Sequence, residues 1–280
     1  MEYCSLMSGS WGNCHYIKAG GTRIMIDAGQ SGKRILNHMA VARCGDGSEL
    51  EGILVTHAHR DHVIGVGILA RKLKIPVYAT EGTWFEMGAL TGDIPKDLRR
   101  TIGAEDCWQI GELELESFPT SHDALESVGY VLRHGSVSLG IATDCGVFTS
   151  RMERALSNLN GLVLEANHDL NMLRFGNYPE YLKRRIAGVE GHLSNADAGC
   201  SLRKVLGPQT RHVILAHLSE ENNCPDIALR TIQDALENPA AASVEGLFSK
   251  SGLTGVKAIE RQGLRISVAP RCIPGEWMAL

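Results

Sequence analysis

Short apolar or β-branched runs, each closed by a cluster of polar or turn-forming residues, set the rhythm of this chain. Tyr3–Leu6, His15–Lys18 and Arg23–Asp27 read as strands, separated by Ser8-Gly9-Ser10-Trp11-Gly12-Asn13 and Ala19-Gly20-Gly21, which punctuate as turns. A helix is predicted from Ser31 or Gly32 to Arg43, and Ile53-Leu54-Val55-Thr56 reads as a buried strand. Val63–Leu73 follows as a helix, with Leu69 and Leu73 one turn apart, and Pro76–Ala79 as a short strand. Glu112–Phe118 is strand-like up to the breaker Pro119, and Ser127–Arg133 and Ser136–Thr143 give two more strands. Strands and helices then alternate. Helix Arg151–Ser157 precedes strand Gly161–Glu165, helices Glu180–Ile186 and Asp197–Val205 follow, and strand His212–Ala216 leads to helix Asp226–Leu236. Leu264–Val268 is expected to be the last strand. Mixed strands followed by strand–helix alternation predict an α/β (α+β) fold with two mixed β-sheets sandwiched between helices.

Composition narrows this picture. A length of 280 residues suits one large domain, spanning 1–280, better than two. Hydrophobic residues at 44% and charged residues at 21% are ordinary for a soluble protein, and no apolar run approaches the roughly 20 residues needed to cross a bilayer. The opening Met1-Glu2-Tyr3-Cys4-Ser5-Leu6-Met7 lacks the basic and apolar regions of a signal peptide. Eight scattered cysteines with no C-x-x-C pair read as reduced thiols, so a cytoplasmic location is expected. A net charge of −4 argues against a protein that coats nucleic acid through bulk charge, and leaves a local basic patch open.

The candidate chemistry begins where the strand at Ile53–Thr56 stops, in His57-Ala58-His59-Arg60-Asp61-His62. Two imidazoles two positions apart can converge on one cation from the turn leaving a strand, while Asp61 and His62 are offset toward a second. Three histidines and a carboxylate in one short run stand out in a chain with 11 histidines in all. The H-x-H-x-D-H pattern resembles the metallo-β-lactamase superfamily, which implies an αββα sandwich and further ligands on later strand ends. His122, Asp144 and His217 occupy such places, each just after an apolar run stops, where α/β folds present functional groups. The resemblance implies that His57, His59 and His122 hold one divalent ion, that Asp61, His62 and His217 hold another, and that Asp144 bridges them. Imidazoles mixed with carboxylates suit Zn²⁺, Mn²⁺ or Fe²⁺. It further implies a hydroxide shared by the two ions as the nucleophile, in hydrolysis of a phosphodiester or an acyl bond. The ligands alone do not choose between these substrates.

Two further segments bear on that choice. Gly191-His192-Leu193-Ser194-Asn195 resembles the G-H-S-T segment of RNase Z-type phosphodiesterases, which implies that His192 is the general acid toward the leaving oxygen. Ser194 or Asn195 is placed to cap the helix that follows, or to meet substrate. Leu164-Glu165-Ala166-Asn167-His168-Asp169 is similar to the H-E-A-T segment of the same enzymes, with leucine in place of the first histidine. Glu165 is expected to orient a histidine, and Asn167 and His168 to touch substrate. His15, His38, His134 and His212 fall outside any constellation and are read as structural, and Cys145 as packing behind the site.

With Ser5–Asn13, Ile26-Asp27-Ala28-Gly29, Leu69-Ala70-Arg71-Lys72, Ile75–Thr80, Leu164–Asp169 and Ala216–Asn223, the chain resembles the YycJ/WalJ (VicX) family of bacterial metallo-β-lactamase-fold proteins from about Ser5 to Asp226. That resemblance implies a cytosolic two-metal phosphodiesterase, a 5′-to-3′ exonuclease on DNA, with Asp61 and His192 as catalytic residues. Ala58 and Arg60 fill variable slots of the metal motif, and the tail after about Pro239 carries no recognisable motif. The span between Asp144 and His217 leaves no room for the large insertion of β-CASP RNA-processing relatives. That between His122 and Asp144 leaves none for the tRNA-gripping arm of RNase Z. Tyr178-Pro179-Glu180-Tyr181-Leu182-Lys183-Arg184-Arg185 mixes basic and aromatic residues; a solvated helix face is the first reading and a nucleic-acid surface the second. Two alternatives stay open: a hydrolase of a small cyclic phosphodiester, lactone or thioester, and a regulatory module of a two-component signalling system that works through a protein partner. DNA is the expected substrate, no membrane is expected, and a homodimer is left open.

Overall fold

The computed structural model describes residues 1–238, 258–261 and 263–280. Contacts gather them into two compact units. The first comprises Met1–Pro119, Ala124–Leu139 and Ala269–Leu280, and the second Thr120–Asp123 and Gly140–Val268.

The first unit opens as an antiparallel meander, β1 (Glu2–Met7), β2 (Cys14–Ala19) and β3 (Thr22–Ile26). Next come α1 (Gly32–Val41), β4 (Gly52–Leu54), α2 (Arg60–Val63), α3 (Val66–Leu73), β5 (Val77–Ala79), α4 (Glu81–Thr91), a 3₁₀ turn at Lys96–Leu98 and β6 (Arg99–Thr101). From β3 to β6 the pairing is parallel, because a helical crossover returns the chain to the same edge before each new strand. β4 is buried at every position, as a strand covered on both faces must be. The α1 helix starts at Ser31, whose hydroxyl accepts from the Arg34 N–H, and it buries Gly32, Ile35 and Met39 along one stripe. Ile35 and Met39 join Leu6, Met25, Ile53, Val55, Leu69 and Val77 in one apolar core. β7 (Cys107–Ile110), β8 (Leu113–Pro119) and β9 (Val128–His134) then form a second antiparallel run.

β10 (Val137–Ala142) leads into the second unit. There α5 (Ser150–Leu156), β11 (Gly161–Glu165), α6 (Leu170–Phe175), α7 (Glu180–Ile186), α8 (Asn195–Val205), β12 (His212–Ala216), α9 (Pro225–Glu237), β13 (Ala258–Arg261) and β14 (Leu264–Val268) follow in turn. β11, β12 and β14 are parallel, β13 folds back on β14, and α8 packs against α5 and α9. The last strand, β15 (Met278–Ala279), belongs to the first unit and pairs with β1. The strand order is β15-β1-β2-β3-β4-β5-β6 in one sheet and β13-β14-β12-β11-β10-β9-β8-β7 in the other, both mixed. Two mixed sheets with flanking helices are the architecture expected from the sequence.

Some details differ. The helix expected over Val63–Leu73 breaks at Ile64-Gly65, where the Gly65 N–H donates to the Ala28 carbonyl and a Cβ would overlap the carbonyl of Gln30. The end of the histidine motif is itself a helical turn, α2. β15 follows the strand expected to be last. Of the tail after Pro239, residues 239–257 lie outside the described residues.

Candidate metal centre

In the first unit, β3 and β4 end side by side and deliver Asp27 and Thr56-His57. Asp27 sits in the left-handed region, φ 59°, a bend that turns its carboxylate back toward the neighbouring strand end. Its oxygens accept from the Thr56 N–H and hydroxyl, both at 2.8 Å, and lie 2.7 Å from His62 Nδ1. His62 is thereby held with Nδ1 as donor and Nε2 as its lone-pair atom. His57 Nδ1 lies 3.0 Å from the Thr56 hydroxyl. The His57 ring is 4.7 Å from that of His59 and 4.1 Å from that of His62, centre to centre. Asn13 fastens this turn from β2's side. Its N–H donates to the Asp61 carbonyl, and its Nδ2 is 2.9 Å from His62 Nε2 and 3.4 Å from Asp61 Oδ2. Gly29 hydrogen-bonds Asn13 and runs so close to Asp61 that any Cβ would overlap the Asp61 carbonyl. Tyr130 donates its hydroxyl to the Val55 carbonyl at 2.5 Å, closing the strand end from β9.

The second unit carries its own cluster. Asp144 follows β10 and His217 follows β12, both with left-handed backbone, φ 58° and 55°. Asp144 Oδ1 lies 3.5 Å from His192 Nδ1, 3.5 Å from His217 Nε2 and 3.8 Å from His122 Nε2. His122 is oriented by its Nδ1, 3.1 Å from the Gly191 carbonyl. Gly146 donates its N–H to the Ser121 carbonyl, and a Cβ on it would overlap the carbonyls of Gly188 and Val189.

Glu165, fully buried at the end of β11, ties this cluster together. Oε1 is 2.8 Å from His192 Nδ1 and 3.2 Å from His217 Nδ1, while Oε2 accepts from the N–H groups of Leu193 and Cys145, both at 3.0 Å. Burial works against its charge. The His192 charge and the hydrogen bonds from both histidines overcome that and hold the carboxyl well below the usual carboxylate range. Asp144, Glu165, His192 and His217 each offer a donor atom within 4.8 Å of the others. With Glu165 engaged in these hydrogen bonds, the buried imidazoles of His122 and His217 converging on the Asp144 carboxylate are a donor set suited to Zn²⁺, Mn²⁺ or Fe²⁺.

Around that cluster the amides act as fasteners. Asn167 Nδ2 donates to the His217 carbonyl at 2.9 Å. Asn195 and Asn223 exchange side-chain hydrogen bonds at 3.0 and 2.9 Å, and Asn223 also donates to the carbonyls of Ala166 and Asn167. Ser194 is the cap of α8, accepting from the Asp197 N–H. His168 stands apart from the donor group. It is buried, its backbone bridges to Ser194, and its Nδ1 has no hydrogen-bond partner among the described residues. Burial pulls its pKa down to about 4. Cys145 is buried, and burial pushes its thiol well up. His15, His38 and His134 bond locally to Tyr3, the Leu6 carbonyl and Glu112.

Sequence reasoning gave Thr56 no role beyond its strand, and took Asn13, Asp27 and Asn223 only as parts of a family resemblance. Asp27 carried the signal used for Asp144, a carboxylate closing an apolar run two positions before a glycine.

A profile of the β-lactamase superfamily domain matches residues 22–218. The chain is 41% identical over 239 residues to exodeoxyribonuclease YycJ of Bacillus anthracis, covering 85% of this chain and 89% of that one. It is 37% identical over 237 residues to exodeoxyribonuclease WalJ of Streptococcus pneumoniae serotype 2, covering 84% and 88%. Among solved structures, Zn²⁺-bound PqqB from Methylobacterium extorquens superposes with a TM-score of 0.66 at 14% identity, over 99% of this chain and all of that one. That likeness speaks for the fold alone.

Proposed function

The chain belongs to the YycJ/WalJ family of the metallo-β-lactamase superfamily, and from that premise we propose that it is a metal-dependent exonuclease that degrades DNA from the 5′ end. The observation that carries this reading is the Glu165–His192–His217–Asp144 constellation. In the first unit His57, His59, Asp61 and His62, and in the second His122, Asp144 and His217, are the residues that would hold divalent ions. The family profile runs through parts of both units, which supports reading them as one functional domain, 1–280. When bound, such ions supply Lewis acidity that activates a water and neutralises charge on the phosphate.

The chain's own side chains do the rest. Glu165 holds His192 through Nδ1, so Nε2 is the atom that delivers a proton to the departing oxygen. The same carboxylate orients His217. Asp27 fixes His62, and Asn13 holds the Asp61 turn. The amides of Asn167, Asn195 and Asn223 keep the strand ends in register, and Ser194 sets the start of α8. His168, being buried, serves this packing. Free thiols at all eight cysteines support a cytoplasmic location, and among the described residues no helix is long and apolar enough to cross a membrane.

The test uses purified protein loaded with Mn²⁺ or Zn²⁺ and offered end-labelled duplex and single-stranded DNA, RNA, bis-p-nitrophenyl phosphate and a lactone. The expected result is DNA degradation, lost in Asp61→Ala and lowered about 10²- to 10⁴-fold in kcat by His192→Ala. Lactone or thioester turnover with inert DNA would overturn the reading. Inertness toward every substrate would favour a regulatory module acting through a protein partner.

A further inference from the structure

Between the strand end at Glu165–Asn167 and the return at Gly191-His192, the second unit makes a helical excursion, α6 and α7, that buries little of itself. Leu173 is the one buried side chain of α6, and α7 has none. A solvated polar face would account for α7's charges but not for the exposed rings that α6 and α7 carry. Phe175, the last residue of α6, is 76% exposed and Tyr181 in α7 74%, large ring surfaces left in water on two short neighbouring helices. Cations accompany them. The Arg174 guanidinium lies 5.4 Å over the Phe175 ring, and Lys183-Arg184-Arg185 form the last turn of α7. Lys183 donates to the Arg174 carbonyl at 2.8 Å, which brings the basic turn of α7 up to the residue preceding Phe175. Arg184 is exposed and makes no ion pair among the described residues.

The excursion is also anchored to the candidate centre. Arg185 pairs with Asp123 at 2.6 Å, Ser121 donates its hydroxyl to the Val189 carbonyl, and the Asp123 N–H donates to Glu190. These contacts bind it to the loop that carries His122, and its last residues run directly into His192. Exposed rings interleaved with guanidinium groups are the recognition chemistry of unpaired bases on a charged backbone, since a base inside a duplex offers no free face to stack on.

We propose that α6 and α7 form a platform for a single DNA strand, with Phe175 and Tyr181 stacking on bases and Arg174 and Arg184 meeting phosphates. This rests on the nuclease reading above. The test measures the Kd of metal-loaded protein for a phosphorothioate single strand, by fluorescence anisotropy, in Phe175→Ala, Tyr181→Ala, the double variant, Arg184→Ala and the ring-keeping Phe175→Trp and Tyr181→Phe. Each lost ring is expected to weaken binding roughly tenfold, in line with base–aromatic stacking, and the ring-keeping variants to retain it. Arg184→Ala is expected to make the salt dependence shallower by about one phosphate contact. Thermal melting checks that each variant is folded, which these exposed positions favour.

A double variant within twofold of the parent overturns the platform, as does loss of affinity for RNA or a duplex with the single strand unaffected. If that protein still degrades DNA, only the platform falls. If the parent degrades no DNA, the nuclease reading falls with it.

Discussion

Two buried side chains of the second unit, three positions apart, show how burial acts on charge. Glu165 is given four hydrogen-bond donors and stays ionised; His168 is given none at Nδ1 and is driven neutral, its pKa pulled to about 4. The consequence for stability has a definite sign. Above pH 6.5 both the folded and unfolded chains hold this histidine neutral. Between 6.5 and about 4 the unfolded chain takes up a proton that the folded one refuses, so stability falls as pH falls through that window. Urea midpoints measured from pH 7 to 4 should therefore decline less steeply in His168→Asn than in the parent. Parallel slopes would show that the folded protein protonates His168 freely. At this scale the sequence was legible where chemistry is contiguous. His57, His59, Asp61 and His62 announce themselves because they share one turn. Asp27, Thr56 and Asn13 do not, since they meet His62 and Asp61 only after two strands have paired and a loop has closed.

Elements were readable to the extent that they repeat. β11, α7, β12 and β14 match their expected spans because each is a clean apolar run or carries clear stop signals. α4 escaped because its sequence has no apolar stripe: Trp84 and Phe85 are adjacent, and Phe85 is exposed. β6 and β15 are edge strands of two or three residues, too short for a period to show. The loops after β3 and before β2 carry the less obvious requirement. Gly29 is where the Asp27–Gly29 turn, Asn13 and Asp61 pass backbone against backbone. Gly29→Ala should push Asp61 out of place, destabilising the fold by about 1–3 kcal/mol and lowering nuclease activity more than stability alone explains. Denaturant melts paired with DNA-degradation rates at a temperature where both proteins are folded check this. An unchanged rate would mean the turn can shift without carrying Asp61 along.

For the molecule as a whole, the sequence conveyed class and candidate chemistry: two mixed sheets with helices, and clustered imidazoles and carboxylates at successive strand ends. What it concealed was cost. Asp27, Asp144 and His217 all bend through the left-handed region, where an L-residue's Cβ crowds its own carbonyl, and no pattern of hydrophobic and polar positions records a dihedral angle. Three such bends, each at a residue of the candidate chemistry, amount to stability forgone so that a side chain can face the right way. The comparison that exposes this is glycine against alanine. Both remove the functional group, but only alanine keeps the crowded Cβ, so at each of the three positions the glycine variant should be the more stable by about 1 kcal/mol. In calorimetry that is a difference of a few degrees in Tm. Catalysis and robustness are thus set against each other at the same three backbone positions. Selection for heat resistance alone would be expected to erode the site there first, drifting toward a sturdier protein that no longer reacts.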